Sequence, residues 1–326
     1  MLDLTVITTT YNSANYIERC LDSLHYQNIK NAEFLIIDDG STDNTIAVIK
    51  NYFKKIIDNR FKLLQKPHRE VSATINYGLS HVNSKYVTFI DSDDYLIYRQ
   101  SLDKLVNEAV NYQLDILEYN YQTITTESKQ IAFTKRYAHQ VINGENLLTQ
   151  SIINNDFHSY LWHYLFNTDF INNNNLRLDQ NVNNTADLLF MINALIKAKR
   201  TMYDNLVVYN YLIREQSFSR NVKKIKTNYH DYLYVLCHLN NLLKFIKNKQ
   251  CLNKMQAYLA KTYLTTILKA DALNLFKINK NTINNFLGNK PLSKRDKLLK
   301  TILSIPFNDL RHLLCLQIYH IYYRYH

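Results

Sequence analysis

Short apolar runs that alternate with helix-period segments are the feature that most limits how the first third of this chain can fold. Leu4–Thr9, Phe34–Ile37, Phe61–Leu64 and Tyr86–Ile90 read as buried strands. Between the first two, Ile17, Cys20, Leu21 and Leu24 recur at i, i+3, i+4 and i+7, the spacing of one helix face, with Ser13 as the expected cap. Ile46, Ile49 and Phe53 mark a second helix behind Thr42, and a third helix is expected around Ser72–His81. Strands that alternate with helices form βαβ units, so the expected fold is α/β: a mostly parallel sheet covered on both faces. Leu102, Leu105, Val106 and Ala109 predict another helix, Asp115–Thr123 a strand and Ser128–Val141 a hairpin. Beyond Gly144 the pattern turns mainly helical, with one strand-like run at Leu206–Ile213, and from about Ile225 only helices are expected. The expected organisation is therefore a catalytic domain over 1–220, with halves at 1–120 and 121–220, and an α-helical region over 221–326.

The length of 326 residues and the hydrophobic fraction of 46% suit a sizeable core. The net charge of +11 attracts anionic partners, namely nucleotide phosphates, lipid head groups or nucleic acid. Nucleic acid is not an expected partner, because the sequence carries no zinc-finger, RNP or helix-turn-helix signature. Cys20, Cys237, Cys251 and Cys315 form no C-x-x-C pair and sit among apolar residues, which predicts buried free thiols. Met1–Leu4 runs straight into a strand without the features of a signal peptide, and no apolar run is long enough to span a bilayer. The expected location is the cytoplasm. The aromatic and basic segment Phe307–His326 suits either the inner face of the membrane or a final core helix.

Chemistry is expected where the strands end, since ligands of open α/β sheets bind at the carboxyl ends of strands. Strand one ends in Thr8-Thr9-Thr10-Tyr11-Asn12, strand two in Asp38-Asp39-Gly40-Ser41-Thr42-Asp43, and strand four in Asp91-Ser92-Asp93-Asp94. In an extended chain Asp91 and Asp93 face the same side. Two converging carboxylates repel unless a cation sits between them, and an oxygen-rich site suits Mg²⁺ or Mn²⁺. The plainer alternative is an acidic turn with Asp94 capping the next helix. Asp39 can accept the imide N–H of uracil, and Tyr11 offers a ring for the base to stack on. Here the alternative is a turn followed by the Thr42 cap.

Taken together, T-Y-N-S-A-N-Y-I-E-R-C-L-D-S-L (10–24), L-I-I-D-D-G-S-T-D-N-T (35–45), V-S-A-T-I-N-Y-G-L (71–79) and Y-V-T-F-I-D-S-D-D-Y-L (86–96) resemble the family-2 glycosyltransferases of the GT-A fold. The resemblance is strong over 3–115 and moderate over 144–220. It implies an inverting transfer of a hexose-type sugar from a nucleotide-diphospho-sugar, most often a UDP-sugar. It implies that Thr10, Tyr11 and Asp39 hold the nucleoside, that Asp91 and Ser92 lie near the ribose, and that Asp93 binds a divalent metal, Mn²⁺ or Mg²⁺. Lys66 or Arg69 would reach the diphosphate. Asp187 falls where the family places its general base, with Ala186 in place of the usual Glu; the alternative is a residue favoured by the helix dipole. Trp162 and His163 would line the acceptor cleft, since aromatic rings stack on sugars, although Trp162 suits a core equally well. Further departures from the family pattern are Thr9 and Thr10 where Pro is common, Ile75 for an Arg and Tyr164 for a Lys.

The family habit, the charge and the aromatic tail imply a glycan or lipid-linked glycan acceptor at a cell surface. The membrane surface and a second copy, joined through the C-terminal helices, are the other candidate partners. A nucleotidyltransferase is disfavoured because no Gly precedes Gly40 to form a phosphate loop. A degenerate member that serves as a binding or scaffold subunit is the alternative that Ala186, Ile75 and Tyr164 favour.

Overall fold

Strand β1 (Leu2–Thr10) sits between two parallel neighbours, β2 (Ala32–Asp38) and β4 (Ser84–Asp91). β3 (Phe61–Gln65) extends the parallel set beyond β2. The remaining strands are β5 (Tyr95–Leu96), β6 (Ile116–Ile124), β7 (Lys129–Gln130), β8 (Tyr164–Asn167) and β9 (Thr201–Leu212). The order is β3-β2-β1-β4-β8-β6-β9-β5, with β7 paired to β6. The sheet is mixed. β8 is antiparallel to both β4 and β6, while β6 and β9 are again parallel, with a register shift at Tyr119–Tyr121. This computed structural model describes residues 2–97, 101–124, 129–130, 139–182, 185–213, 225–272, 280–304, 311 and 314–315. The hairpin expected at 128–141 lies mostly outside them, as does most of the segment 307–326.

The helices of the sheet unit follow from the apolar spacing. In α1 (Ile17–His25) the expected Ile17, Cys20, Leu21 and Leu24 are all buried. In α2 (Thr45–Ile56) Ile49 and Tyr52 are buried, and Tyr52 takes the place expected for Phe53. α3 (Val71–Leu79) packs on β1 and β2, α4 (Ser101–Asn111) on β6, β8 and β9, and α6 (Thr168–Asn173) on β4 and β8. Phe190 of α7 (Ala186–Lys197) meets Phe166 of β8 at 5.7 Å between ring centres. Fully burying such a Leu, Ile or Phe stabilises the fold by about 1.5–3 kcal/mol each.

Two expected caps are not formed. Ser13 makes no side-chain cap on α1; its hydroxyl lies 2.8 Å from that of Ser92. α2 begins at Thr45 rather than behind Thr42, and the carboxylate of Asp43 accepts the Thr45 N–H at 2.9 Å. Both polar side chains found partners across the sheet edge instead. β8 was not expected: four residues are too few to show alternation.

The chain divides into two compact units, Met1–Leu147 with Asp156–Arg220, and Leu148–Asn155 with Asn221–His326. In the second, α9 (Lys249–Ala272) packs on α8 (Ile225–Leu242) and α11 (Lys294–Leu303), and α10 (Lys280–Leu287) adds Phe286, stacked on Tyr263 at 3.9 Å. Ser293 and Asp296 form a capping box on α11. Cys20, Cys251 and Cys315 are buried free thiols, whereas Cys237 is exposed, contrary to expectation. Among the described residues no helix is long and apolar enough to cross a membrane.

Gly144, which opens α5 (Gly144–Ile153), donates its N–H to Ala198 O at 2.9 Å. A Cβ there would lie 2.1 Å from Leu195 O in α7, a backbone atom that cannot swing aside. Gly144→Ala is therefore expected to destabilise the protein by about 1–3 kcal/mol, seen as a melting temperature several degrees lower. An unchanged melting temperature would show that the two backbones do not approach so closely in solution.

Candidate functional site

The register of the parallel strands brings their ends to one edge. Thr10 stands opposite Asp38 and Thr9 opposite Asp91, while Gln65, the last residue of β3, also faces Asp38. The loops that follow are sewn together. Asn12 adopts the left-handed conformation that Asn tolerates (φ 50°), and its side-chain oxygen accepts the N–H groups of Thr42 at 2.8 Å and Asp43 at 3.3 Å. Ser41 Oγ in turn accepts the Asn12 N–H at 2.9 Å.

The paired carboxylates at the end of β2 divide the work, because successive residues face opposite ways. Asp38 turns inward and accepts the N–H groups of Gly40 at 3.1 Å and Ser41 at 3.0 Å. The turn needs Gly40, whose φ is +75° and whose missing Cβ would lie 2.7 Å from His68 N. Asp39 faces the neighbouring loop. Its carboxylate takes the Lys66 ammonium, the Arg69 N–H at 3.0 Å and the Thr74 hydroxyl at 2.8 Å. His68 Nδ1 lies 2.8 Å from Asp39 Oδ2 and 3.0 Å from Asp39 O. The imidazole stacks on Tyr11, 4.2 Å between ring centres and 20° from parallel. The ring face and the carboxylate expected to receive a nucleobase thus both contact the protein's own His68. Lys66 is engaged with Asp39, whereas the Arg69 side chain is exposed. Sequence reasoning missed His68, because its significance depends on where Tyr11 and Asp39 meet.

At the end of β4, Asp91 is exposed, Asp93 is half-buried and Asp94 is buried. Each can offer a carboxylate oxygen within 4.8 Å of the other two. Three hard oxygen donors at that spacing fit a divalent cation. Asp94 does not cap α4. Its carboxylate accepts the Tyr209 hydroxyl at 2.8 Å and the Leu212 N–H at 2.7 Å, and the Tyr209 oxygen in turn accepts the Asp91 N–H at 3.1 Å. Burial, with the Asp91 carboxylate beside it, pushes the Asp94 carboxyl up to about 8, outweighing those hydrogen bonds and the Arg19 charge. A dication among the three would relieve that repulsion. Arg19 bonds the Asp93 carbonyl at 3.0 Å and lies 4.3 Å from the centre of the Tyr95 ring. Ser92, expected near the ribose, is buried and shares its hydrogen bond with Ser13.

A set of stacked rings leads away from Asp94. Trp162 lies on Tyr209 at 4.3 Å and 8°, and Tyr160 lies on Trp162 at 4.9 Å and 7°. Tyr211 joins them at 5.6 Å from Trp162. Tyr209 and Tyr211 share a face of β9 because they are two residues apart, the signal that could have found Tyr209. Trp162 is 5% exposed and Tyr160 43%, so it is Tyr160 that meets solvent. His163 is fully buried, with Nε2 3.9 Å from Glu118, and lies beneath this surface rather than on it. Tyr164, which replaces the expected Lys, is buried and donates its hydroxyl to the His158 carbonyl at 2.6 Å, bracing the segment that carries Ser159 and Tyr160.

Asp187 lies in the first turn of α7, behind Thr185, whose φ is 66°. It accepts the Ser159 hydroxyl at 3.1 Å and the Leu188 N–H at 2.8 Å. Burial of the carboxyl pushes its pKa up to about 6, with those hydrogen bonds opposing. That is near the value at which a carboxylate serves as a base at neutral pH. Ala186 beside it is buried and adds no second carboxylate.

The sequence model of glycosyl transferase family 2 matches residues 5–177. The chain is 30% identical over 219 residues to the poly(ribitol-phosphate) β-N-acetylglucosaminyltransferase TarP of Staphylococcus aureus, covering 64% of each chain. Its fold is similar to that of S. aureus TarS 1–349 solved with UDP-GlcNAc, with a TM-score of 0.69 at 18% identity over 99% of this chain and 92% of that one. It is also similar to that of a Pyrobaculum calidifontis mannosyltransferase solved with GDP-Man and Mn²⁺, with a TM-score of 0.56 at 15% identity over 98% and 87% of the two chains. The chain spans less than two thirds of the length of the curated relatives it matches. The GT-A architecture expected from the sequence is the one that it shares with TarS.

Proposed function

This chain belongs to glycosyl transferase family 2, and from that premise we propose that it transfers a hexose-type unit, with inversion, from a UDP-sugar to a hydroxyl of a glycan acceptor. The observation that carries the reading is the contact chain Asp94–Tyr209–Trp162–Tyr160, with Asp187 bonded to the neighbouring Ser159. It ties the donor end of the site to a carboxylate of raised pKa. Asp91, Asp93 and Asp94 would hold Mn²⁺ or Mg²⁺, with Asp93 as the principal ligand. Such a cation neutralises a diphosphate and eases its departure. The ionised Asp187 takes the proton of the acceptor hydroxyl as that oxygen bonds to the anomeric carbon and the bond to the diphosphate breaks. Attack from the face opposite the diphosphate inverts the centre. The charge of +11 suits an acceptor glycan carried on a lipid at an anionic membrane surface.

Thermal unfolding with UDP, GDP, CDP and TDP, each with and without Mn²⁺, tests the donor assignment. A ligand at about 100 times its Kd adds roughly 2.7 kcal/mol of apparent stability. A shift with UDP that requires Mn²⁺ supports the reading. Folded protein with no shift for any nucleotide favours a scaffold subunit instead.

In this reading the base and His68 compete for the Tyr11 ring and the Asp39 carboxylate. His68→Ala is expected to tighten UDP binding about two- to tenfold, the worth of one displaced polar contact, measured by calorimetric titration. Weaker binding would mean that the imidazole helps to hold the base.

A further inference from the structure

Tyr160 is the most exposed of the stacked rings, His158 and Tyr211 being half-buried, and it stands beside the proposed base. Tyr160 lies within 7° of parallel to Trp162, 14° to His158 and 16° to Tyr211, so four rings present faces of nearly one orientation. Trp162 is buried at their base, and Tyr160 is 43% exposed. Its neighbour Ser159 donates to Asp187 Oδ2 at 3.1 Å, so the exposed ring and the hydroxyl that holds the α7 carboxylate share one short segment. That segment is held from beneath by the Tyr164 hydroxyl on the His158 carbonyl.

A rigid, flat aromatic face suits a partner that is itself flat and carries axial C–H groups on one side: a pyranose ring. A pyranose resting on Tyr160 presents its rim hydroxyls sideways, toward the carboxylate. An open-chain polyol phosphate has no such face, and its negative charge would meet that of Asp187. We infer that Tyr160 is the specificity-determining platform of the acceptor subsite and that the acceptor unit is a ring-form pyranose rather than an open-chain polyol phosphate. This rests on the transferase reading above and adds the class of acceptor.

Trp162 is the only tryptophan in the chain, so its emission reports on the stack directly. The full-length protein is titrated with methyl β-glucopyranoside, with its N-acetylglucosamine analogue and with ribitol 5-phosphate, each with and without UDP and Mn²⁺. The expected result is a saturable emission change with a pyranoside and none with ribitol 5-phosphate. Tyr160→Ala weakens the pyranoside on the order of tenfold while UDP affinity holds, and Tyr160→Phe, which keeps the ring, restores it. The inference is overturned by a response to ribitol 5-phosphate alone, by no response to either pyranoside, or by equal pyranoside affinity in Tyr160→Ala. A pyranoside response that survives when UDP fails to bind overturns the donor assignment and leaves the platform standing.

Discussion

Asp93→Ala is expected to abolish the Mn²⁺-dependent stabilisation by UDP and to lower sugar transfer on the order of 10²–10³-fold, as losing a principal electrostatic contact does. Asp91, Asp93 and Asp94 converge within 4.8 Å, and of these Asp94 is already committed to Tyr209 and Leu212. Removing Asp93 leaves too few oxygens to compete with water for a hard dication. The fold should survive, because Asp93 is only half-buried and the turn rests on the Asp94 N–H to Asp91 O bond at 3.0 Å. The measurement is the thermal shift of wild type and variant with UDP, with and without Mn²⁺. An identical Mn²⁺-dependent shift in the variant would move the cation elsewhere.

Asp187→Asn is expected to keep UDP binding and to lose transfer by about 10²–10⁴-fold, the usual worth of general acid–base catalysis. Asn fills the same space and can still bond Ser159 but cannot take a proton. The wild-type pH profile carries an independent signature. With the carboxyl raised to about 6, the base is protonated and inactive below that pH. The rate therefore rises about tenfold per pH unit up to pH 6 and levels above it. Ser159 donates to the ionised form, so Ser159→Ala should raise the pKa further and move the limb toward neutral pH. A profile flat from pH 5 to 7, or full transfer by Asp187→Asn, would place the base on another residue.

The first four strands were legible because their signals are local. Each strand is a short apolar run, each ends in a polar cluster, and parallel pairing brings those ends together without further information. The edge on which Asp39, Asp91, Asp93 and Tyr11 gather could therefore be foreseen from the sequence. The capping roles of Ser13 and Thr42 failed for the opposite reason. A cap is a local preference, and here Ser92 lies across the sheet from Ser13 while Asn12 takes the Thr42 N–H. The aromatic cluster around Trp162 was harder to read. Tyr209 reaches Asp94 across 115 positions, and Tyr160 gains meaning only from the rings behind it. Trp162 was read as cleft or core and lies buried at the base of the stack. No periodicity records which member of an aromatic cluster stays wet.

The antiparallel β8 in the middle of the sheet bears on how the chain acquires its structure. β1 to β4 all lie within the first 91 residues and pair only with one another on the side of β1, β4 joining β1 across about 80 positions, so that block can assemble before the rest of the sheet is made. The open side of β4 must wait for Phe166 and Asn167, which pair with Val87 and Tyr86. At a synthesis rate of about 5–20 residues per second, the wait is roughly 4–16 s. During it, a strand of Tyr, Val, Phe and Ile exposes unsatisfied backbone groups, a template for intermolecular pairing. Phe166 and Asn167 of β8 therefore cover an edge that the nascent chain must otherwise leave open.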